Sequence, residues 1–547
     1  MARWFRYDFL GAVFAVAFFC LSLTPSLLPR DWLLQGLVGG ISAAIGYFVG
    51  LLLWWLVRVI VHRYRHRHRH VWAPDRRAWF WFGGVAVVLI VGMLALASVW
   101  QRDLRILMEL DTPPGHAYLS LLLVAALTFA VLIGAGRLIR LTARKIRGFA
   151  GRWVPGWAAR LIAFVAAAAL TVGVVNGVLV TGALLLADKA FAEINSETEP
   201  GVAAPIDPSR SGAPGSLVSW DSLGNRGRTF VSGGPTIGEL RAFGVARARQ
   251  PIRVYAGLDS AETTEERAAL VVRELARTGA FARKLLCVIT TTGTGWVDEA
   301  GVAPLEYMYG GDTALAGMQY SYLPSWISFL VDRERARDAG RELFNQVYDA
   351  WLALPEGSRP KLVAFGESLG SFGAESAFSG SADMSGRTDG MLLVGPPNHN
   401  HLWREFIADR EPGTPEILPT YEQGEVVRFS AVPTNLDEPA TQWHVGRVAY
   451  LQHPSDPIVW WSPRLLLKRP DWLAEPRGAD VLPQMHWFPF VTFWQVTGDM
   501  VFSTRVPDGH GHKYGAAGVG AWARVVPPPG WTDQQTERLT ALIADKY

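Results

Sequence analysis

The sequence predicts a chain in two parts: an N-terminal bundle of five transmembrane helices, then an α/β domain built on a mostly parallel sheet. Three observations carry that expectation. Long uncharged stretches crowd the first third of the chain, and densely basic loops alternate with mixed-charge ones between them. From Pro251 onward, short apolar runs alternate with amphipathic helical segments. Half of the 547 residues are hydrophobic and 23 are tryptophan, a balance that points to lipid contact rather than to an ordinary soluble enzyme.

The five stretches are Phe9 to Pro29, Trp32 to Val57, Ala78 to Gln101, Ala117 to Gly136 and Leu161 to Ala187, and none contains Asp, Glu, Lys or Arg. Each holds the ~20 residues needed to cross ~30 Å of hydrocarbon. Helices buried in a soluble bundle would carry a charged face, which these lack. The first is too long for a signal peptide and is followed by further spans. The loops RVIVHRYRHRHRHVWAPDRRAW and RLIRLTARKIRGFAGRW are basic, whereas RD and RDLRILMELD mix signs. By the positive-inside rule the N-terminus and both basic loops lie in the cytoplasm. Five crossings then put everything after about Asp188 outside the cytoplasmic membrane. The HRYRHRHRH run mixes Arg with His and lacks neighbouring Cys or carboxylate, so contact with anionic headgroups explains it better than a metal does.

Residues 1–190 therefore form the membrane region, 191–249 a Gly/Pro/Ser-rich connector and 250–547 the catalytic domain. In the domain, PIRVYAGL, KLLCVITTTGTGW, KLVAF, GMLLVGPP and RVAYLQHP read as strands, with ETTEERAALVVRELARTG and RERARDAGRELFNQVYDAWLAL as helices between them. That alternation gives a parallel sheet covered on both faces. The only cysteines, Cys20 in the first stretch and Cys287 in a strand, are too differently placed to pair, so stability rests on a large core. A net charge of +3, once the basic loops are set aside, offers nothing to nucleic acid.

Gly366-Glu367-Ser368-Leu369-Gly370 follows a strand and opens a helix, the context in which G-x-S-x-G forms a nucleophile elbow. The turn lifts Ser368 above the carboxyl end of the sheet, and the N–H of Leu369 points at a developing oxyanion. A serine nucleophile needs a base, and the base an orienting acid, in the chain order Ser, Asp/Glu, His. HPSDPIVWW supplies Asp456 after a strand, with Asp437 as the next candidate. VPDGHGHKYG supplies His510 and His512; His510, followed by Gly, is preferred by a thin margin. A second oxyanion donor is expected from the Thr290–Trp296 loop, after the third strand of the fold, with Thr292 as the candidate. The segments 308–325 and 396–403 either line the pocket or pack beside it. His399 and His401 lack a third ligand, so neither metal nor cofactor is expected.

On PSLLPR, GGDTALAGMQYSYLPSW, AFGESLGS, HPSDPIVWW and VPDGHGHKYG the chain resembles the actinobacterial membrane-anchored α/β-hydrolases, over nearly its whole length. The resemblance implies a multi-span region, a C-terminal catalytic domain, and Ser368, Asp456 and the His510/His512 pair as triad. The expected activity is that of a serine esterase acting on lipid or envelope esters. Acyl transfer by the same triad is the first alternative, and a non-catalytic scaffold or transporter is the second. Against transport, the spans carry no acidic residue or Lys, and Asn176 alone stands out as polar.

Overall fold

The computed structural model describes residues 7–64, 74–111, 117–181, 191–323, 328 and 333–547; most of the His/Arg run falls outside them. The chain divides into two compact units, Met1–Leu184 with Trp461–Val506, and Leu185–Trp460 with Pro507–Tyr547. The expected catalytic domain, 250–547, is thus interrupted by a segment that belongs with the bundle.

The first unit holds helices α1 (Phe9–Ser22), α2 (Trp32–Tyr64), α3 (Arg76–Leu107), α4 (Tyr118–Ala150) and α5 (Gly156–Val172). Three of them, α2, α3 and α4, are long and apolar enough to cross a membrane, which corrects the expected five. The Asp8 cap opens α1 late, and the helix ends at Ser22 with Leu23 as its cap, ahead of Pro25 and Pro29. Its 14 residues reach only about 21 Å. α5 gives way at Gly173 to a π-helical segment, Gly173–Val180, that contains Asn176.

Glycine sets how closely these helices approach. On α2, a Cβ at Gly36 or Gly40 would overlap backbone oxygens of α4, and one at Gly46 or Gly50 would overlap those of α1. Two small-xxx-small stripes therefore seat two neighbours on one helix, as expected where helices cannot rely on hydrophobic exclusion from water. The apolar windows of α3 and α4 are only 17% buried against 56% for α2, so their outer faces are the ones offered to lipid.

The 461–506 segment joins this unit through α1 and α2. The Asp499 carboxylate, fully buried, accepts from Ser26 Oγ (2.9 Å) and from the N–H groups of Leu27 (3.0 Å) and Leu28 (3.4 Å). Gln495 Nε2 donates to Thr24 O at 3.0 Å. A buried carboxylate needs this kind of partnering, and it is provided only where the segment meets the α1–α2 loop.

The second unit is built on seven strands in the order β1-β3-β2-β4-β5-β7-β6, every pair parallel. They are β1 (Ile252–Ala256), β2 (Leu285–Thr290), β3 (Thr313–Met318), β4 (Lys361–Glu367), β5 (Gly390–Val394), β6 (Val427–Ser430) and β7 (Arg447–Leu451). Almost every strand residue is buried, as a sheet covered on both faces requires. One helical layer contains α6 (Thr264–Arg277), α8 (Arg333–Leu352) and α9 (Leu369–Glu375), whereas α7 (Glu299–Met308), α12 (Ala517–Val525) and α13 (Asp533–Lys546) pack together in the other. Between α9 and α12 in the chain lie α10 (His401–Ala408), in this unit, and α11 (Val491–Asp499), which belongs to the first unit.

The stretch expected as a connector is integrated into this unit. Residue 210 bridges β1 in parallel at Arg253, and the fully buried Arg253 guanidinium donates to Phe230 O, Glu299 and Glu306 at 2.6–2.9 Å. A buried charge persists only when paired and hydrogen-bonded, and two carboxylates from α7 plus a carbonyl from residue 230 meet that need. Composition alone hid this, because the Gly/Pro/Ser content of the stretch reads the same whether or not it packs.

Candidate active site

The strand-to-helix turn after β4 holds Ser368 at φ 54, ψ −126, outside the regions that serine ordinarily occupies. Both flanking glycines are sterically required. A Cβ on Gly366 would overlap the backbone of Gly370, and one on Gly370 would overlap Thr290 O at the end of β2. Ser368 N–H donates to Val394 O (2.8 Å), and Ser371 N–H and Oγ return to Ser368 O (2.9 and 2.7 Å). Leu369 is the first residue of α9, where backbone N–H groups lack intrahelical partners.

Asp456 lies beyond β7 and is fully buried. Its Oδ2 is 2.7 Å from His512 Nδ1 and accepts from Tyr514 Oη at 2.8 Å, while Oδ1 accepts from Ile458 N–H at 2.8 Å. Burial opposes its ionisation, yet the charge of His512 and the hydrogen bonds from His512, Tyr514 and Ile458 hold its carboxyl below the usual range. The His512 ring is 8% exposed, and Nε2 has no hydrogen-bond partner among the described residues. A Cβ on Gly395 would collide with this imidazole. Gly395 directly follows Val394, the residue that accepts from Ser368 N–H, so the ring and the serine turn meet the same short stretch of backbone.

The structure pairs His512, not the preferred His510, with Asp456. The cause is a tight turn: Gly509 N–H donates to Lys513 O (2.9 Å), Lys513 N–H donates to His510 O (3.1 Å), and Gly511 takes φ 53. That reversal separates the two imidazoles, and Gly511 N–H is fastened to Ser455 Oγ at 2.8 Å. Asp437 is engaged elsewhere, accepting two hydrogen bonds from Arg524 at 2.7 Å each.

Thr292 is placed in the expected loop, but its N–H donates to Trp296 O (3.0 Å), so in this conformation it is not offered to an oxyanion. The loop follows the second strand in the chain rather than the third, although β2 does border β4 in the sheet. His399 is pushed down to about 4 by burial and by Arg333 and Arg404, and His401 is an exposed neighbour of Glu405. Their segment is tied in by its neighbours: Asn400 Nδ2 donates to Ser371 Oγ and Glu375, and Trp403 Nε1 to Gln452. Tyr320, from the other expected lining segment, borders a cavity of about 730 Å³ at the β1/β3 side of the sheet, with Leu258, Arg267 and Arg335.

Two features carry no motif of their own. Tyr514 shares Asp456 Oδ2 with His512, brought there by the turn around Gly511 and marked by no residue pattern. Glu367, the variable residue before the serine, is buried, and its carboxyl is raised well above the usual range by burial, then by the charge and hydrogen bond of Asp298 and the charge of Asp456.

A parallel sheet with a strained serine turn after one strand, and a buried aspartate–histidine pair on loops beyond its other strands, defines a domain of the α/β-hydrolase kind. Residues 252–539 match the alpha/beta-hydrolase family, and residues 23–235 match that family's N-terminus. The chain belongs to the alpha/beta-hydrolase family. No curated protein and no solved structure matches it.

Proposed function

We propose that the chain is a membrane-held serine hydrolase in which Ser368 is the nucleophile, His512 the base and Asp456 the residue that orients it. The carrying observation is the Asp456–His512 pair beside a serine kept at positive φ. Strain of this kind costs of order 1–3 kcal/mol, and a binding module has no use for it. Ser368 Oγ attacks an ester carbonyl while His512 Nε2 takes its proton, and Leu369 N–H receives the oxyanion. Collapse expels the alcohol, protonated by His512, and leaves an acyl-serine. Water, deprotonated by the same nitrogen, releases the acid and restores the serine.

Esters of lipids or envelope components are the substrate class that a membrane-held site meets most often. The catalytic domain is assigned to the extracytoplasmic side. The basic residues Arg58, Arg76, Arg77, Arg137, Arg140, Arg144 and Arg147 stand at the α2–α3 and distal α4 ends, which the positive-inside rule places in the cytoplasm. The 461–506 segment contacts residues 24–28, at the opposite end of α1 and α2. That contact supports the assignment, which also requires the chain to cross once more after α4, through α5 and the π-helical segment that continues it.

The test is labelling of intact cells with a membrane-impermeant fluorophosphonate, wild type against Ser368→Ala. Labelling lost in the variant supports the reading. Labelling only after lysis overturns the sidedness, and none in either state, with folded protein, overturns the nucleophile. Added alcohol acceptor that diverts the acyl group from water would favour the transferase alternative.

A further inference from the structure

The bundle contains a cavity of about 390 Å³ that the hydrolase chemistry does not use. It opens at the end of the bundle opposite the basic helix ends, between the α1–α2 loop, the last turns of α3 and the start of α4. Its lining has two characters. Leu23, Leu94, Ala97 and Leu121 make one part apolar, and Arg30, Arg102 and Arg105 line another. From Leu94 to Arg105 the wall follows α3 for about 16 Å.

The charges are unbalanced. Against three guanidinium groups the lining presents one carboxylate, Asp31, which accepts from Leu34 N–H (2.8 Å) at the start of α2. Among the described residues, Arg105 donates to a backbone carbonyl, Asp111 O at 3.4 Å. Arg30 is the most informative: it is 5% exposed, its Nε lies 3.4 Å from Asp499 Oδ1, and Nη2 donates to Thr24 O. Its Nη1 has no hydrogen-bond partner among the described residues. An orphaned guanidinium nitrogen in a desolvated site is costly unless an acceptor arrives.

We propose that this cavity binds one anionic lipid, its phosphate-type headgroup at Arg30, Arg102 and Arg105 and part of its acyl chain against Leu94 and Leu121. A soluble anion gives no reason for an apolar wall, and an uncharged apolar ligand gives none for three arginines. The volume falls in the range of small-molecule sites. Trp32 and Tyr118, also in the lining, are the residue types that settle at the headgroup level of a bilayer. Because Arg30 also pairs with Asp499, the occupant sits beside the point where the 461–506 segment is fastened to the bundle. The site is independent of the acyl group that Ser368 accepts.

The full-length protein in a neutral detergent, stripped of lipid, is assayed by thermal unfolding and native mass spectrometry with phosphatidylglycerol, phosphatidylcholine or inorganic phosphate. Phosphatidylglycerol should bind one to one and raise the unfolding temperature, and phosphatidylcholine should do so at least about tenfold more weakly. The double variant Arg102→Gln/Arg105→Gln alters side chains at the rim, so its ligand-free unfolding should stay near wild type while phosphatidylglycerol affinity falls at least about tenfold. Leu94→Trp should lower affinity by filling the apolar part. Equal binding of both lipids, or binding untouched by the double variant, overturns the site. Phosphate alone reproducing the full shift would reduce it to an ion site and overturn the lipid assignment.

Discussion

Two buried acidic residues at the carboxyl end of the sheet, Asp456 just beyond β7 and Glu367 at the end of β4, behave in opposite ways. Asp456 collects donors from His512, Tyr514 and the Ile458 N–H, and its carboxyl is held below the usual range. Glu367, one residue before Ser368, is buried beside Asp298 and the charge of Asp456, and its carboxyl is pushed up. Its Oε2 has no hydrogen-bond partner among the described residues. Similar desolvation therefore leaves one carboxyl below the usual range and the other well above it, and the hydrogen-bond donors and neighbouring charges make the difference. In the proposed mechanism, a carboxyl that ionises readily at Asp456 would steady an imidazolium at His512, and one that ionises reluctantly at Glu367 would add little charge near Ser368 to oppose an oxyanion.

The largest effect should come from breaking the Asp456–His512 pair. Asp456→Asn and His512→Ala should each lower kcat by about 10³–10⁴-fold on any ester that the wild type turns over. His510→Ala, held in the backbone turn away from Asp456, should stay within about threefold. The reverse ranking in a steady-state assay would return the base to His510.

Tyr514→Phe removes one donor from Asp456 and leaves the rest. The loss should be about 1.5–3 kcal/mol of stability, read by denaturant unfolding. The sign for activity follows from linkage. A depressed aspartate pKa contributes stability above its unfolded value and loses it as pH falls through the folded value. With a donor gone the folded value rises, so the acid limb of the pH–rate profile should move to higher pH. An unmoved limb would mean that Tyr514 is packing alone.

Glu367→Gln should have the smallest effect and the opposite sign. A raised glutamate pKa costs stability progressively as pH climbs above the unfolded value near 4.3. Glutamine imitates the neutral acid, so the variant should gain about 1 kcal/mol near pH 8, with the gain vanishing near pH 4 in a series of thermal melts. A variant less stable at pH 8 would show that Glu367 is needed as an anion.

Much of this arrangement was legible in the chain. β4 and the turn after it follow from KLVAFGESLG, because only glycine fits where backbone meets backbone at Gly366 and Gly370. Asp456 is marked by its place just beyond a strand. His512 was not separable from His510, because two imidazoles one residue apart in a Gly-rich loop differ only once Gly511 reverses the chain. The Thr290–Trp296 loop ends a strand that borders β4, yet Thr292 has its N–H in a turn, a hydrogen bond that no composition signal reveals.

The sequence by itself determined the quantities that depend on local chemistry: apolar length, basic helix ends, strand–helix alternation and the glycine-flanked serine. Tertiary structure alone decided which distant groups share a proton or a charge. It set Tyr514 on Asp456, Arg253 between Glu299 and Glu306, and Asp499 on Ser26 and Arg30, across as many as 473 residues of chain. The physical reason is that burial makes an unpaired charge too costly to keep, while any of several partners along the chain can satisfy it. Only the packed backbone selects which one arrives.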